Sequence, residues 1–394
     1  QPGHKPQPRM MLPPEDVTAH TTCVPHECDH CGSHNVEPNG VVHTHQVLDI
    51  PVPKPECHQI DRHAVECQDC GEVTVPPLPP GVPSHMFGAR LLALIAFLAG
   101  AKISRRRIQE ILREVHGIRA SLGAISEAEA RASAAIEPST DEALDHVRSE
   151  IVKYVDATSW RFCGALRTLW TIATKLVTVF AITADGTTER IEELLGTLQG
   201  FLVTDRGTTF GFWAMALRQI CWAHLVRKFV SYAERKDEGA KIGKHLLIFT
   251  QYMLAEWHRV RDGTLSRKRF QAEMAPVRVA IVSLLRQGEA LGLRGMSGSC
   301  RNILAHESAL FTFVEVPGID PTNNAAERAL RDFVVWRKVS SGSQSERGML
   351  FAQRIMTVFQ TLRQQRRSVF GFLVEACHAA QHKLSTPSLL PATR

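Results

Sequence analysis

Three acidic side chains lie where a metal-dependent enzyme would need them. Asp156 and Asp205 each follow an apolar run that predicts a β-strand, and Glu327 lies in the first turn of a predicted helix. Adjacent parallel strands would place the two aspartates at one edge of a sheet, and a helix would bring the glutamate to them. Carboxylates suit a pair of Mg²⁺ (or Mn²⁺) ions, because these cations prefer oxygen ligands. Two ions about 3.5–4 Å apart support cleavage and transfer of phosphodiesters.

Each of these residues taken alone has a simpler interpretation. An aspartate after a strand is commonly a turn or helix N-cap residue, and Glu327 could pair with Arg331 one helical turn later. Their joint occurrence after two strands and on a late helix favours the two-metal site. We therefore predict Asp156, Asp205 and Glu327 as metal ligands and catalytic residues.

The same region contains a Cys-x-x-His pair, Cys221 and His224. One interpretation is a buried thiol beside a histidine that hydrogen-bonds the backbone. The other is that His224 orients a metal-bound carboxylate from outside the coordination sphere. At this stage neither residue is predicted to be a metal ligand itself.

Two Cys-x-x-Cys pairs lie near the start of the chain, Cys28 with Cys31 and Cys67 with Cys70. Four thiolates suit a tetrahedral Zn²⁺ ion, and the 35 residues between the pairs fit a zinc ribbon. A redox pair is the competing interpretation, but no βαβ pattern surrounds either pair. Other nearby residues could substitute as ligands: Cys23, His26, His30, Cys57, His58 and His63.

The elements that must position the carboxylates follow from the hydrophobic pattern. Strand-like runs at 150–156, 168–173, 177–182, 200–205 and 219–222, with a helical pattern at 189–198, give the order of a ribonuclease-H-like sheet. Helical patterns precede this region from about 87 and follow it from 225 to about 316.

We therefore expect an α+β multi-domain protein with a zinc ribbon, a helical segment and a ribonuclease-H-like α/β core. A helical insertion would precede the last catalytic helix. The predicted divisions are a linker at 1–20, a zinc module at 21–75, a Pro-rich spacer at 76–86, a helical DNA-binding segment at 87–148, core at 149–224, insertion at 225–316, core at 317–384 and a tail at 385–394.

Basic residues indicate where nucleic acid would bind. Two predicted helices joined by a turn at 116–120 have helix-turn-helix proportions. The competing interpretation is a pair of packed helices with a solvated basic end. The segment 328–367 holds nine basic residues against two acidic ones, which suits phosphate contact or a solvated helix face. The predicted DNA-binding residues are Arg105, Arg106, Arg107, Arg331, Arg337, Lys338 and Arg347.

Composition narrows the class of protein. The chain has 394 residues, 44% hydrophobic and 22% charged, with a formal charge of +6, which describes a mildly basic globular protein. Its longest apolar run, 91–101, is too short to span a membrane. The cysteine usage favours a reducing compartment, so we expect a cytoplasmic, nucleoid-associated protein. Because the sequence opens on Gln1, we expect that a natural N-terminal segment precedes it.

Longer motifs are shared with a known family. They are Cys221-Trp222-Ala223-His224-Leu225, Asn323-Asn324-x-x-Glu327-Arg328-Ala329-Leu330-Arg331, Trp336-Arg337-Lys338, Ser341-Gly342-Ser343-x-Ser345-Glu346-Arg347-Gly348 and Arg363-Gln364-Gln365-x-Arg367-Ser368-Val369-Phe370. On these motifs the chain resembles the insertion sequence 66 group of bacterial transposases, which carry an Asp-Asp-Glu trio. The resemblance covers nearly the whole chain.

The resemblance implies a transposase that cuts DNA at element ends and joins it to a target. It implies Asp156, Asp205 and Glu327 as the trio. Our mechanistic hypothesis is that Asp156 would bridge both ions, with Asp205 and Glu327 each completing one site. Double-stranded DNA, a homo-oligomer and possible accessory proteins of the same element would be the partners. The chain departs from the family at Ala157, where glutamate is usual, and at 206–210, where a tyrosine-containing stretch is usual.

Two other functions are compatible with some of these sequence features. A catalytically inactive relative would bind DNA as a regulatory protein, and the intact trio argues against it. A ribonuclease would share the core, and the zinc and helix-turn-helix-like accessories disfavour it.

Overall fold

The computed structural model describes residues 11–41, 43–51 and 53–391, and the chain divides into two units, Gln1–Glu56 and Cys57–Arg394. In the described part of the first unit, the only regular element is a short 3-10 turn, Pro14–Asp16. The predicted linker at 1–20 lies partly outside the described residues, which begin at Met11.

Each Cys-x-x-Cys pair forms the same tight turn in its own unit. The Gly32 N–H donates to the Cys28 carbonyl at 2.8 Å, and the Gly71 N–H donates to the Cys67 carbonyl at 2.8 Å. Both glycines have positive φ, 70° and 74°, which side chains with a Cβ rarely adopt. In the second unit, antiparallel strands β1 (Val65–Glu66) and β2 (Val73–Thr74) flank the Cys67 turn.

Three helices follow, as the apolar periodicity predicts: α1 (Ala89–Gly100), α2 (Arg105–His116) and α3 (Leu122–Ser149). Ser104 and Ser121 cap α2 and α3, because their hydroxyls accept the N–H groups of Arg107 and Ala124. Helix α3 is 28 residues long, so it extends well beyond a recognition helix of ordinary length. It also contains Pro138.

Five strands form one sheet: β3 (Val152–Phe162), β4 (Ala165–Ala173), β5 (Thr178–Thr183), β6 (Phe201–Thr204) and β7 (Arg218–Ile220). Their order is β5-β4-β3-β6-β7; β3, β4 and β5 are antiparallel neighbours, whereas β6 is parallel to β3 and β7 is parallel to β6. The five predicted strands are confirmed. One detail is wrong: Asp156 does not end its strand, since β3 continues beside β4 to Phe162.

Helices make up most of the rest of the described chain. Helix α4 (Thr188–Leu195) connects β5 to β6. Six helices lie between β7 and the helix that carries Glu327: α5 (Trp222–Ala233), α6 (Gly239–Arg261), α7 (Arg267–Ala290), α8 (Ser297–Leu304), α9 (Glu307–Leu310) and α10 (Thr312–Glu315). The chain then forms α11 (Asn324–Val339), α12 (Glu346–Gln364) and α13 (Val369–His382).

Two hydrophobic cores use residues of the sheet. Because successive side chains of a strand point to opposite faces, Val155 lies in one core and its neighbour Tyr154 in the other. The first core contains α1 to α3 and α11 to α13, and the second contains α5 to α10. The predicted helical segment at 87–148 therefore shares a core with the sheet.

The described part of the predicted tail, residues 385–391, packs against the rest of the second unit. Leu389 is fully buried, and the Ser139 hydroxyl donates to the Pro387 carbonyl at 2.7 Å, which ties these residues to α3. Residues 392–394 lie outside the described residues. Among the described residues, every helix is too short or too polar to cross a membrane.

Candidate active site

The register of two parallel strands places Asp156 beside Asp205. Tyr154 is paired with Val203, so both aspartates lie two residues beyond the last paired residues of β3 and β6. Gly200 permits this close approach, because a Cβ there would lie 2.3 Å from the Ile151 carbonyl oxygen. The predicted position of both aspartates at one edge of the sheet thus follows from the strand pairing.

Backbone N–H groups hold both aspartate side chains. The Asp205 Oδ1 atom accepts the Gly207 N–H at 2.8 Å, and the Asp156 Oδ1 atom accepts the Ala157 N–H at 2.9 Å. A Cβ at position 207 would lie 2.9 Å from the Asp205 Oδ1 atom, so glycine there leaves room for the carboxylate. Neither aspartate is fully exposed, and each presents a second oxygen for another partner.

Asn323 brings the third carboxylate to this edge. Its side-chain amide donates to the Val155 carbonyl at 2.6 Å, next to Asp156 in β3. Asn323 is also the N-cap residue of α11, and its carbonyl accepts the Glu327 N–H at 3.1 Å. Glu327 therefore lies one helical turn after Asn323, and Asn323 is hydrogen-bonded to β3 next to Asp156.

The three carboxylates affect one another electrostatically. Burial raises the pKa of Asp156 to about 6 despite the Ala157 N–H, and the negative charges of Glu327 and Asp205 add to the rise. Arg227 opposes the rise with its positive charge. A cluster of three oxygen donors that is partly withdrawn from water is the kind of site that a hard divalent cation stabilises.

Cys221 and His224 lie against Glu327. Cys221 is fully buried before α5, and its Sγ atom accepts the Asn323 N–H at 3.1 Å and lies 3.9 Å from the Glu327 Oε1 atom. The His224 Nδ1 atom lies 3.4 Å from the same oxygen. Burial raises the pKa of Cys221, and burial followed by the charge of Arg227 lowers the pKa of His224. Both residues are thus placed beside a carboxylate of the trio.

Sequence reasoning missed two arginines at this site. The exposed Arg227 lies 3.6 Å from the Glu327 Oε1 atom, and its spacing of three residues from His224 on one helix could have indicated it. Arg218 is buried, and its guanidinium donates to the Thr204 hydroxyl at 3.1 Å and to the Asp205 carbonyl at 3.3 Å. No feature of the sequence distinguishes Arg218 from an exposed strand residue.

The predicted basic residues of α2 differ in their surroundings. Arg105 forms an ion pair with the buried Glu129 at 2.6 Å, and Arg107 pairs with Glu110 on its own helix. Arg106 is exposed. Arg105 and Arg106 both border a cavity of about 550 Å³ that is also lined by Trp336 and Ser345.

The later basic residues also fall into two groups. Arg337 donates to the Ser159 carbonyl at 2.6 Å and to the Thr158 hydroxyl at 3.2 Å, so it holds α11 against β3. Arg347 donates to the Glu127 carboxylate at 2.9 Å. Arg331 and Lys338 are exposed on α11, where a nucleic acid phosphate could reach them.

Hydrogen bonds to sulfur favour metal binding at the two Cys-x-x-Cys pairs, Cys28 with Cys31 and Cys67 with Cys70, which we call knuckles. The N–H groups of His30 and Cys31 lower the pKa of Cys28, and those of Asp69 and Cys70 lower the pKa of Cys67. A thiol with a lowered pKa gives the thiolate that zinc binds more readily. The donor sets of both knuckles therefore fit structural zinc.

Comparisons with known proteins agree with these features. Residues 84–350, well over half of the chain and including all three carboxylates, match the model of the transposase IS66 family. Residues 25–71, which include both knuckles, match the zinc-finger binding domain of transposase IS66. No curated protein matches the chain.

Proposed function

Since the chain belongs to the IS66 family of transposases, we propose that Asp156, Asp205 and Glu327 are its catalytic trio and act with two divalent cations. A transposase is a DNA-processing enzyme, and the chain also has the zinc-finger domain of this family at 25–71. The observation that carries the proposal is the strand register that brings Asp156 beside Asp205, with Glu327 tied to β3 through Asn323.

The donor set fits the cations that phosphodiester chemistry requires. Three carboxylates and their open oxygens suit Mg²⁺ or Mn²⁺, whereas a soft cation would favour sulfur ligands. When bound, the two cations activate the attacking oxygen and stabilise the leaving oxygen. The protein holds Asp156 and Asp205 on a rigid sheet edge and keeps both side chains oriented through backbone N–H groups. In this proposal Asp156 would be a ligand to both cations, and Asp205 and Glu327 would each complete one site.

The sheet supports a ribonuclease-H-like core. The order is β5-β4-β3-β6-β7, with three antiparallel strands followed by two parallel ones; Asp156 lies in β3 and Asp205 directly follows the neighbouring parallel strand β6. In this interpretation α5 to α10 are an insertion between β7 and α11, and they pack around the second hydrophobic core together with one face of the sheet. After the insertion, the chain returns to the sheet with α11, and this helix carries Glu327.

The proposed reaction is cleavage of DNA at the ends of the element, followed by transfer of the freed 3′-hydroxyl to target DNA. The substrate is double-stranded DNA, and pairing of two ends implies a homo-oligomer on DNA. Arg331 and Lys338 are exposed on α11, the helix that carries Glu327, and would neutralise phosphates of bound DNA.

Purified protein should be assayed for Mg²⁺-dependent cleavage and strand transfer on DNA that carries the element's terminal repeats. We expect Asp156→Asn and Glu327→Gln to lose both steps and to retain DNA binding. Glu273→Gln is the matched control, because Glu273 pairs with Arg269 on the surface of α7. Cleavage by Glu327→Gln at the wild-type rate would refute the trio. Binding of DNA without cleavage by any form, wild type included, would favour a regulatory relative.

A further inference from the structure

Three different donor atoms meet where α5 and α11 begin. The Cys221 Sγ atom, a ring nitrogen of His224 and a carboxylate oxygen of Glu327 all lie within 4.8 Å of one another. The aspartates of the trio are not members of this group. Among the described residues, it is the only such cluster of three possible metal ligands.

The spacing within the cluster is that of ligands around one cation. In a tetrahedral zinc site, nitrogen and oxygen ligands lie about 3.3 Å apart, and sulfur and oxygen ligands lie about 3.5 Å apart. Here the His224 Nδ1 atom is 3.4 Å and the Cys221 Sγ atom 3.9 Å from the Glu327 Oε1 atom. A good hydrogen bond between nitrogen and oxygen would be shorter, about 2.9 Å.

The histidine nitrogen also lacks a hydrogen-bond partner. The His224 Nδ1 atom is buried and, among the described residues, makes no hydrogen bond, because its contact with Glu327 is not aligned. An unsatisfied buried polar atom costs about 1–3 kcal/mol. A cation in front of it would supply the missing partner.

We propose that Cys221, His224 and Glu327 form a binding site for one thiophilic divalent cation of the zinc class. On binding, the Cys221 thiol releases its proton to solvent, and sulfur, nitrogen and oxygen each donate an electron pair. Mg²⁺ does not compete well at such a site, because it disfavours thiolate. The exposed Arg227, which lies 3.6 Å from the same glutamate oxygen, would move away.

This site has a consequence for activity that rests on the proposed function. Glu327 belongs to both groups of ligands, and its Oε1 atom faces Cys221 and His224, so a cation held there competes with the proposed Mg²⁺ site for this carboxylate. Occupancy by zinc therefore withdraws a ligand from the Mg²⁺ site, and zinc inhibits cleavage.

The binding claim is tested with Co²⁺, whose bond to thiolate gives a charge-transfer absorption band. Full-length protein is freed of metal with a chelator and then titrated with Co²⁺ at neutral pH, and the wild type is compared with each variant. We expect the wild type to bind one more Co²⁺ per chain than Cys221→Ser does, with an additional thiolate band that Cys221→Ser lacks. His224→Ala should weaken this additional binding at least about 100-fold. Cys300→Ser, which removes another fully buried thiol, should retain the band.

A titration without an additional thiolate band, or with the same band in Cys221→Ser, would overturn the proposal. The second measurement is inhibition of cleavage by Zn²⁺ at saturating Mg²⁺, with each variant normalised to its own uninhibited rate. We expect Cys221→Ser to need at least about tenfold more Zn²⁺ for half-inhibition, and Cys300→Ser to match the wild type. Absence of cleavage in every form would refute the proposed function, whereas the Co²⁺ result would still decide the site.

Discussion

The side-chain amide of Asn323 donates a 2.6 Å hydrogen bond to the carbonyl of Val155. Val155 is the residue before Asp156, and Asn323 caps the helix that carries Glu327. Both residues of this bond are fully buried, so water cannot replace either partner. One contact between residues 168 positions apart thus joins the strand and the helix that supply two of the three carboxylates.

We expect Asn323→Ala to lower the free energy of unfolding by about 1–3 kcal/mol, because it leaves the buried Val155 carbonyl without a donor. The same change should raise the Mg²⁺ concentration needed for half-maximal cleavage, since Glu327 loses its tie to β3. Urea unfolding and a Mg²⁺ titration measure the two effects. Asn324→Ala is the control, because Asn324 is the exposed next residue. Equal behaviour of the two variants would contradict the role of Asn323.

Asp156→Asn should stabilise the metal-free protein while removing its activity. The pKa of Asp156 is raised to about 6, mainly by burial, so folding disfavours its ionised form. This penalty is absent below the unfolded pKa and complete above pH 6, so wild-type stability falls as pH rises between about 4 and 6. We expect the variant to be more stable by about 1–3 kcal/mol at pH 8, with the difference vanishing near pH 4.

Thermal unfolding in chelator at pH 8 and pH 4 tests this expectation. Asp185→Asn is the control: Asp185 is an exposed aspartate whose pKa is lowered by hydrogen bonds from Thr187, so its replacement should not stabilise. A stability difference for Asp156→Asn that is independent of pH would contradict the electrostatic explanation.

DNA-binding experiments should distinguish the exposed Arg331 from Arg337, which is hydrogen-bonded to β3. Arg331→Ala should weaken DNA binding and reduce the slope of log K against log salt by about 1, because the exposed side chain would lose one phosphate contact. Arg337→Ala should instead lower the free energy of unfolding by about 1–3 kcal/mol, since it loses bonds to Thr158 and Ser159. Binding isotherms at several salt concentrations, with urea unfolding of each variant, make the comparison. A stability loss in Arg331→Ala with an unchanged salt slope would contradict it.

Zinc content should depend on the knuckle cysteines. We expect Cys31→Ser and Cys70→Ser each to lower the zinc found in purified protein by atomic absorption, because a structural site needs its thiolates. Cys57→Ser, an exposed cysteine outside both knuckles, should keep the wild-type content. Full zinc content in both knuckle variants would show that other residues hold the metal.

The sequence predicted the elements of the catalytic region well because hydrophobic periodicity is a local property. The strands that begin at Val152 and Phe201 follow from apolar runs that are only a few residues long. The family motifs indicated Glu327 and the Cys221–His224 pair for the same reason, since each motif is contiguous in the chain.

Properties that depend on distant partners required the tertiary structure. Strand β3 continues past Asp156 because β4 pairs with it to Phe162, and an aspartate in an apolar run does not reveal that partner. The sequence does not distinguish Arg337 from Arg331. In the structure, Arg337 donates hydrogen bonds to β3, whereas Arg331 is exposed.

The sequence by itself determined which residues could bind metal and in what kind of element each would lie. The tertiary structure decided which of them meet, because distances between residues far apart in the chain depend on strand register and helix packing. It brought Asp156 near Asp205 through the pairing of β3 with β6, which ends two residues before each aspartate. It also brought Cys221 to Glu327, 106 positions away, through the packing of α5 against the start of α11.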